Sequence, residues 1–251
     1  MKKIFLYILA GSLCFTACKK DDEVETFKEP EDINVRNSYD DQAIQKFMDN
    51  NYLDAQGNIK AFSSTDTSDD NEKKLSQLNP VTLPSGVIYI KRDGAQPNPG
   101  VTINTDSSSN TASLIKTMMK ANYYLAIENE GNISLNLYGN LLNNIDGAAA
   151  TGSPSTDPSF YYVKKAVLEA AGSDIAKQRS YYEIPGLKEG LKYFNGYENL
   201  PNSEVPNLQG VIIVPSKAAF ARNENYYGLK NFTFVFNFQI YNAETRPADQ
   251  Q

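Results

Sequence analysis

The sequence predicts an α+β fold dominated by antiparallel sheet, and three observations carry that prediction. Two β-branched runs, Val87-Ile88-Tyr89-Ile90-Lys91 and Gly210-Val211-Ile212-Ile213-Val214, are bounded by turn residues, and residues 132–138 alternate polar with apolar side chains. A single short amphipathic helix, with Leu187, Leu191 and Phe194 on one face, lies between these strands. Strands that bracket one helix, without a regular strand–helix alternation, give a mixed layer architecture rather than a doubly wound one.

In chain order, residues 1–17 read as a leader. Lys2 and Lys3 precede an apolar stretch over 4–13, too short to cross ~30 Å of hydrocarbon at about 1.5 Å per residue. The stretch closes on Phe15-Thr16-Ala17-Cys18, which resembles a bacterial lipoprotein processing box, with Cys18 as the acylated residue and Phe15 in place of the usual Leu. Lys19-Lys20-Asp21-Asp22-Glu23 is similar to the surface-export signal behind the lipid-bearing cysteine of Bacteroidetes-type lipoproteins. These resemblances imply an outer-membrane lipoprotein, periplasmic or surface-exposed, held by acyl chains that each add ~0.8 kcal/mol per buried methylene.

Residues 18–37 are charged and aperiodic, hence a tether, and 38–83 form an N-terminal helical and loop segment. Ser38-Tyr39-Asp40-Asp41 supplies a cap and negative charge, and Ile44, Phe47 and Met48 share a face, which predicts a helix near 40–51. The folded domain then covers 84–245. Within it, Leu114-Ile115 and Met118-Met119 are spaced for a short helix, 123–127 reads as extended, 147–158 as a loop, and 160–172 fits either a helix or a strand followed by one. Pro185 opens the helix over 186–194, where its missing N–H costs least. The last strand, 232–241, carries Phe232, Phe234, Phe236 and Phe238 on one face.

Composition excludes more than it suggests. The 251 residues include no histidine and no tryptophan, and both cysteines, Cys14 and Cys18, sit near the start. Histidine-dependent triads and ordinary zinc sites are therefore ruled out, and no metal or cofactor is expected. With 24 basic and 30 acidic residues the formal charge is −6, which disfavours a nucleic-acid partner.

The order of elements, together with Ile184-Pro185-Gly186-Leu187-Lys188-Glu189-Gly190-Leu191, Val211-Ile212-Ile213-Val214-Pro215-Ser216-Lys217-Ala218-Ala219-Phe220-Ala221 and Thr233-Phe234-Val235-Phe236-Asn237-Phe238-Gln239-Ile240, resembles the FKBP-type peptidyl-prolyl isomerase family. The resemblance implies an antiparallel half-barrel wrapped around one short helix, with an N-terminal helix and inserted loops over 104–131, 148–180 and 195–209. It also implies rotation about X–Pro bonds in an apolar cleft, where the ~18–20 kcal/mol barrier falls as water is stripped from the imide.

By that resemblance Ile184 offers a backbone N–H to a substrate carbonyl, Phe220 and Asp146 complete the catalytic set, and Leu137, Leu187, Phe236 and Tyr227 line the cleft. Leu187 replaces a tryptophan, and Phe220 and Leu137 replace tyrosines. Glu183, Lys188 and Glu189 read as solvated. The expected function is a prolyl isomerase or folding helper acting on proline-containing polypeptides of the cell envelope. The three departures favour an alternative, a non-catalytic partner-binding lipoprotein of the same fold; a carbohydrate-handling surface lipoprotein with tyrosine stacking platforms is a third reading.

Overall fold

A computed structural model describes residues 27–108, 111–145 and 152–251. The leader, the processing box and Cys18 lie outside the described residues, as does Asp146.

Helix α1 (Ile33–Asn50) begins well before the expected position, because Asp32 caps it by accepting from Asn34 N at 2.8 Å. Arg36, Asp40, Ala43, Ile44 and Met48 form its buried face. A hairpin of β1 (Asn51–Leu53) and β2 (Ile59–Ala61) follows. The remaining strands are β3 (Val81–Thr82), β4 (Ile88–Lys91), β5 (Val101–Thr102), β6 (Leu114–Asn129), β7 (Asn132–Asn143), β8 (Ser155–Thr156), β9 (Asn195–Gly196), β10 (Gly210–Val214) and β11 (Thr233–Glu244). Helices α2 (Lys165–Ala170) and α3 (Pro185–Leu191) lie between β8 and β9. The main sheet runs β3-β4-β10-β11-β6-β7, every pair antiparallel, with β8 extending the outer side of β6. The fold is thus α+β with antiparallel sheet, as the sequence predicts.

One element is a correction. Residues 114–119, expected as a short helix, are the first part of β6, a strand of 16 residues. Leu114, Ile115, Met118 and Met119 are all buried, so the segment loses the polar alternation of a half-exposed strand and its apolar spacing imitates a helix. Glu130 and Gly131, both at positive φ (52° and 78°), turn β6 back into β7 as a two-residue hairpin.

Both faces of the sheet are covered. On β10 and β11, Val211, Ile213 and Val235 point to one side and meet Ile44 and Met48 of α1. Ile212, Val214, Phe234, Phe236 and Phe238 point to the other and meet Ile184, Leu187 and Leu191. Two glycines let α3 approach β10 closely. A Cβ on Gly186 would stand 2.5 Å from Val214 Cγ1 and 2.8 Å from the Ala218 carbonyl oxygen, and one on Gly190 would stand 2.7 Å from Ile212 Cγ2. Each phenylalanine of the β11 stripe is covered by a different ring: Phe220 on Phe234 at 5.9 Å, Phe160 on Phe236 at 5.8 Å, and Phe194 on Phe238 at 5.0 Å.

Candidate functional site

The residues expected to line a prolyl groove divide into two groups. Leu187, Phe220 and Phe236 do converge, in one apolar cluster with Ile184. Leu137 does not join them. It stands opposite Tyr124 on β6, and both Tyr124 and Leu135 belong to the cluster on the α1 side. Since side chains two apart share a sheet face, Leu137 lies on the far side of the sheet from Phe236, and it is 60% exposed.

The groove itself is filled by the protein's own chain. Residues 158–163, from one of the expected insertions, lay Phe160 against Phe236 and bury Tyr161, Tyr162 and Val163 beside it. The backbone N–H of Ile184, which the family resemblance reserves for a substrate, donates instead to the Phe160 carbonyl at 2.8 Å. Ile184, Leu187 and Phe236 are completely buried, and Phe220 is 3% exposed. No surface for a prolyl ring remains at these side chains.

Several anchors hold the filling segment. Arg246 pairs with Asp157 through its two terminal guanidinium nitrogens, one of them at 3.1 Å, and its guanidinium carbon lies 3.4 Å from the Tyr162 ring centre. The Tyr161 hydroxyl donates to Ser113 O at 2.8 Å. Its pKa is raised, chiefly by burial. Ser159 Oγ and the Tyr227 hydroxyl are 2.9 Å apart, and burial pushes Tyr227 up to about 12.

Glu183 is the largest departure from expectation. Expected in solvent, it is 3% exposed, and its carboxylate is completely engaged. One oxygen accepts from Val163 N at 2.9 Å and from Arg179 at 3.0 Å; the other accepts from Ser107 Oγ and from Lys188 Nζ, both at 2.8 Å. It therefore joins the filling segment, the start of α3 and the loop before β6 at one point. Beside it opens a cavity of about 480 Å³, whose walls include Thr105, Ser108, Pro185, Lys188 and Lys192. Glu189 also lines it and is half-buried. Among the described residues no group of His, Cys, Asp and Glu side chains is arranged to hold a metal ion.

What remains accessible near the closed groove is an aromatic rim. Tyr181, Tyr182, Tyr226, Tyr227 and Phe220 follow one another in a chain of rings with centres 5.1–5.7 Å apart; Tyr182 and Phe220 are buried, and Tyr226, in the middle, is 61% exposed.

No family model matches the chain, and no curated protein matches it. Among solved structures, the crystal structure of FkpA from Escherichia coli is similar, with 16% identity and a TM-score of 0.33, covering 67% of this chain and 53% of the other. The chain thus spans about half the length of that protein, and a likeness of this size adds nothing to the architecture read from the strands themselves.

Phe160, Arg179, Glu183 and Arg246 were not identifiable from sequence. A Ser-Phe-Tyr-Tyr-Val run after a loop carries no periodicity that distinguishes a groove-filling segment from a short strand. A charged residue one position before a helix-opening Ile-Pro-Gly looks like any solvated cap. The one available signal was excess: four phenylalanines on a strand face need more cover than one short helix provides.

Proposed function

We propose that this protein is a non-catalytic partner-binding module of the cell envelope, tethered by lipid on Cys18, that engages polypeptides through its tyrosine rim. The observation that carries this reading is the Phe160 carbonyl on the Ile184 N–H, with the Phe160 ring packed on Phe236. Isomerisation in an apolar cleft requires that the cleft admit the imide, and here that volume already holds native side chains. Aromatic side chains with one polar tip favour interfaces, because they bury a large area while the hydroxyl keeps a hydrogen bond. A protease-coupled assay on a short prolyl peptide tests the reading. No acceleration over the uncatalysed rate, set by relaxation over tens of seconds, is the expected result. Turnover at micromolar protein overturns it.

Prolyl isomerisation is the second reading, favoured by the gathering of Leu187, Phe220 and Phe236 in one cluster. It requires displacement of residues 158–163, and Phe160→Ala then gains activity that the native chain lacks. The tether is tested separately: palmitate labelling of the full chain in a lipoprotein-processing host is expected, and is lost in Cys18→Ser.

A further inference from the structure

The two edges of the main sheet are unequal. One ends in β3, two residues long; the other ends in β7, which has 12 residues and, among the described residues, pairs only with β6. A long bare edge presents a row of backbone N–H and C=O groups, and proteins normally blunt it with charge, proline or bulges. Residues 132–143 include no charged residue and no proline, although the whole chain carries −6. Bulges are present, but only in the second half, where Tyr138 and Leu141 are the extra residues between the register positions facing β6. Residues 133–137 pair regularly with 124–128 and carry none of these protections themselves, the nearest charge being Lys46 of α1, which donates to the Asn132 side chain. Leu137, 60% exposed, ends this stretch.

We propose that residues 133–137 of β7 pair antiparallel with the same residues of a second copy. An acidic chain repels itself, so two copies approach best where the strand brings no charge of its own, and residues 133–137 meet that condition. The pattern is also self-complementary. A register centred on Leu135 sets Leu135 opposite its own mate, Ile133 opposite Leu137 and Ser134 opposite Asn136, so apolar meets apolar on one face and polar meets polar on the other. The two-fold axis this generates closes the assembly at a dimer and removes both bare edges. The inference is independent of the tyrosine rim, which lies on other elements.

Light scattering on the full chain, solubilised in detergent, is expected to show a mass that doubles with concentration. Leu137→Lys, an exposed substitution that sets lysine against Ile133 of the other copy, weakens the association about tenfold. Its fold is checked by circular dichroism. The double variant Ile133→Cys/Leu137→Cys fixes the register: the two positions are ~13 Å apart along one strand, beyond the reach of a disulfide, so oxidation yields a cross-linked dimer absent from the native chain run alongside. A monomeric mass at every concentration overturns the proposal. So does a dimer that Leu137→Lys leaves unchanged, a dimer without the 133–137 cross-link, or a monomer whose β7 amides gain protection only when a foreign extended peptide is added.

Discussion

Glu183 shows how much one side chain can join. Its carboxylate accepts from a backbone N–H, a hydroxyl, a guanidinium and an ammonium drawn from four separate stretches of chain. Glu183→Gln keeps the shape but leaves Arg179 and Lys188 without their countercharge in a buried site, where breaking one partner of an ion pair costs about 3–5 kcal/mol. Urea unfolding is expected to show a loss in that range; a change under 1 kcal/mol would show that solvent reaches the pair. Tyr227 gives a second prediction, on pH. Its folded pKa lies near 12, above the usual 10, because burial disfavours the phenolate. The unfolded chain therefore releases this proton first, and stability present below pH 10 is lost as pH rises towards 12. Tyr227→Phe is expected to flatten that decline between pH 10 and 12, at the cost of one hydrogen bond to Ser159, about 0.5–1.5 kcal/mol. Neither role was legible in the sequence. Leu187, Phe220 and Phe236 were legible as apolar residues that meet, but nothing in a list of apolar positions says whether a groove is open or filled from within.

At the scale of elements, legibility follows how far local pattern and tertiary burial agree. β10 and β11 were recognisable because β-branched and aromatic runs bounded by Gly and Pro have no competing helical reading. α3 was recognisable from Pro185 and its apolar face. β6 was recognisable only in part: 123–127 read as extended, but the first stretch, buried on both faces, has no alternation to display and its methionine pair falls at helical spacing. The start of α1 was missed for a different reason: its inner face includes Arg36 and Asp40, a buried pair that hydropathy counts as solvent-facing. The α3–β10 contact supports a direct prediction. Gly186→Ala places a methyl group 2.8 Å from the Ala218 carbonyl, a backbone atom that cannot swing aside. Overpacking of this kind costs about 1–3 kcal/mol. The same substitution in an isolated helix would be stabilising, so a drop in thermal midpoint isolates the packing term.

Across the whole molecule, the boundary drawn at residue 84, at the turn before the first strand, crosses a continuous core. Ile88, Ile90, Val211, Ile213 and Val235 of the sheet are covered by Ile44, Met48, Leu53 and Leu75, all from residues before that boundary. Each such side chain is worth about 1.5–3 kcal/mol when buried, so the five together are comparable with the ~5–15 kcal/mol net stability of a typical domain. Polar ties run the same way: Asp40 of α1 accepts from Ser216 N at 2.9 Å, and Asn237 of β11 donates to Gly57 O at 2.9 Å. A chain starting at Pro84 retains α3 and every strand of the main sheet except β3, yet exposes one entire apolar face and leaves Ser216 N without its acceptor. It is expected to bind a hydrophobic dye, to lose cooperative unfolding and to aggregate, while a chain starting at Phe27 unfolds in one transition. A soluble, cooperatively folding 84–251 fragment would show that α1 is an accessory to the sheet. The opposite result makes the N-terminal segment a structural half of the domain.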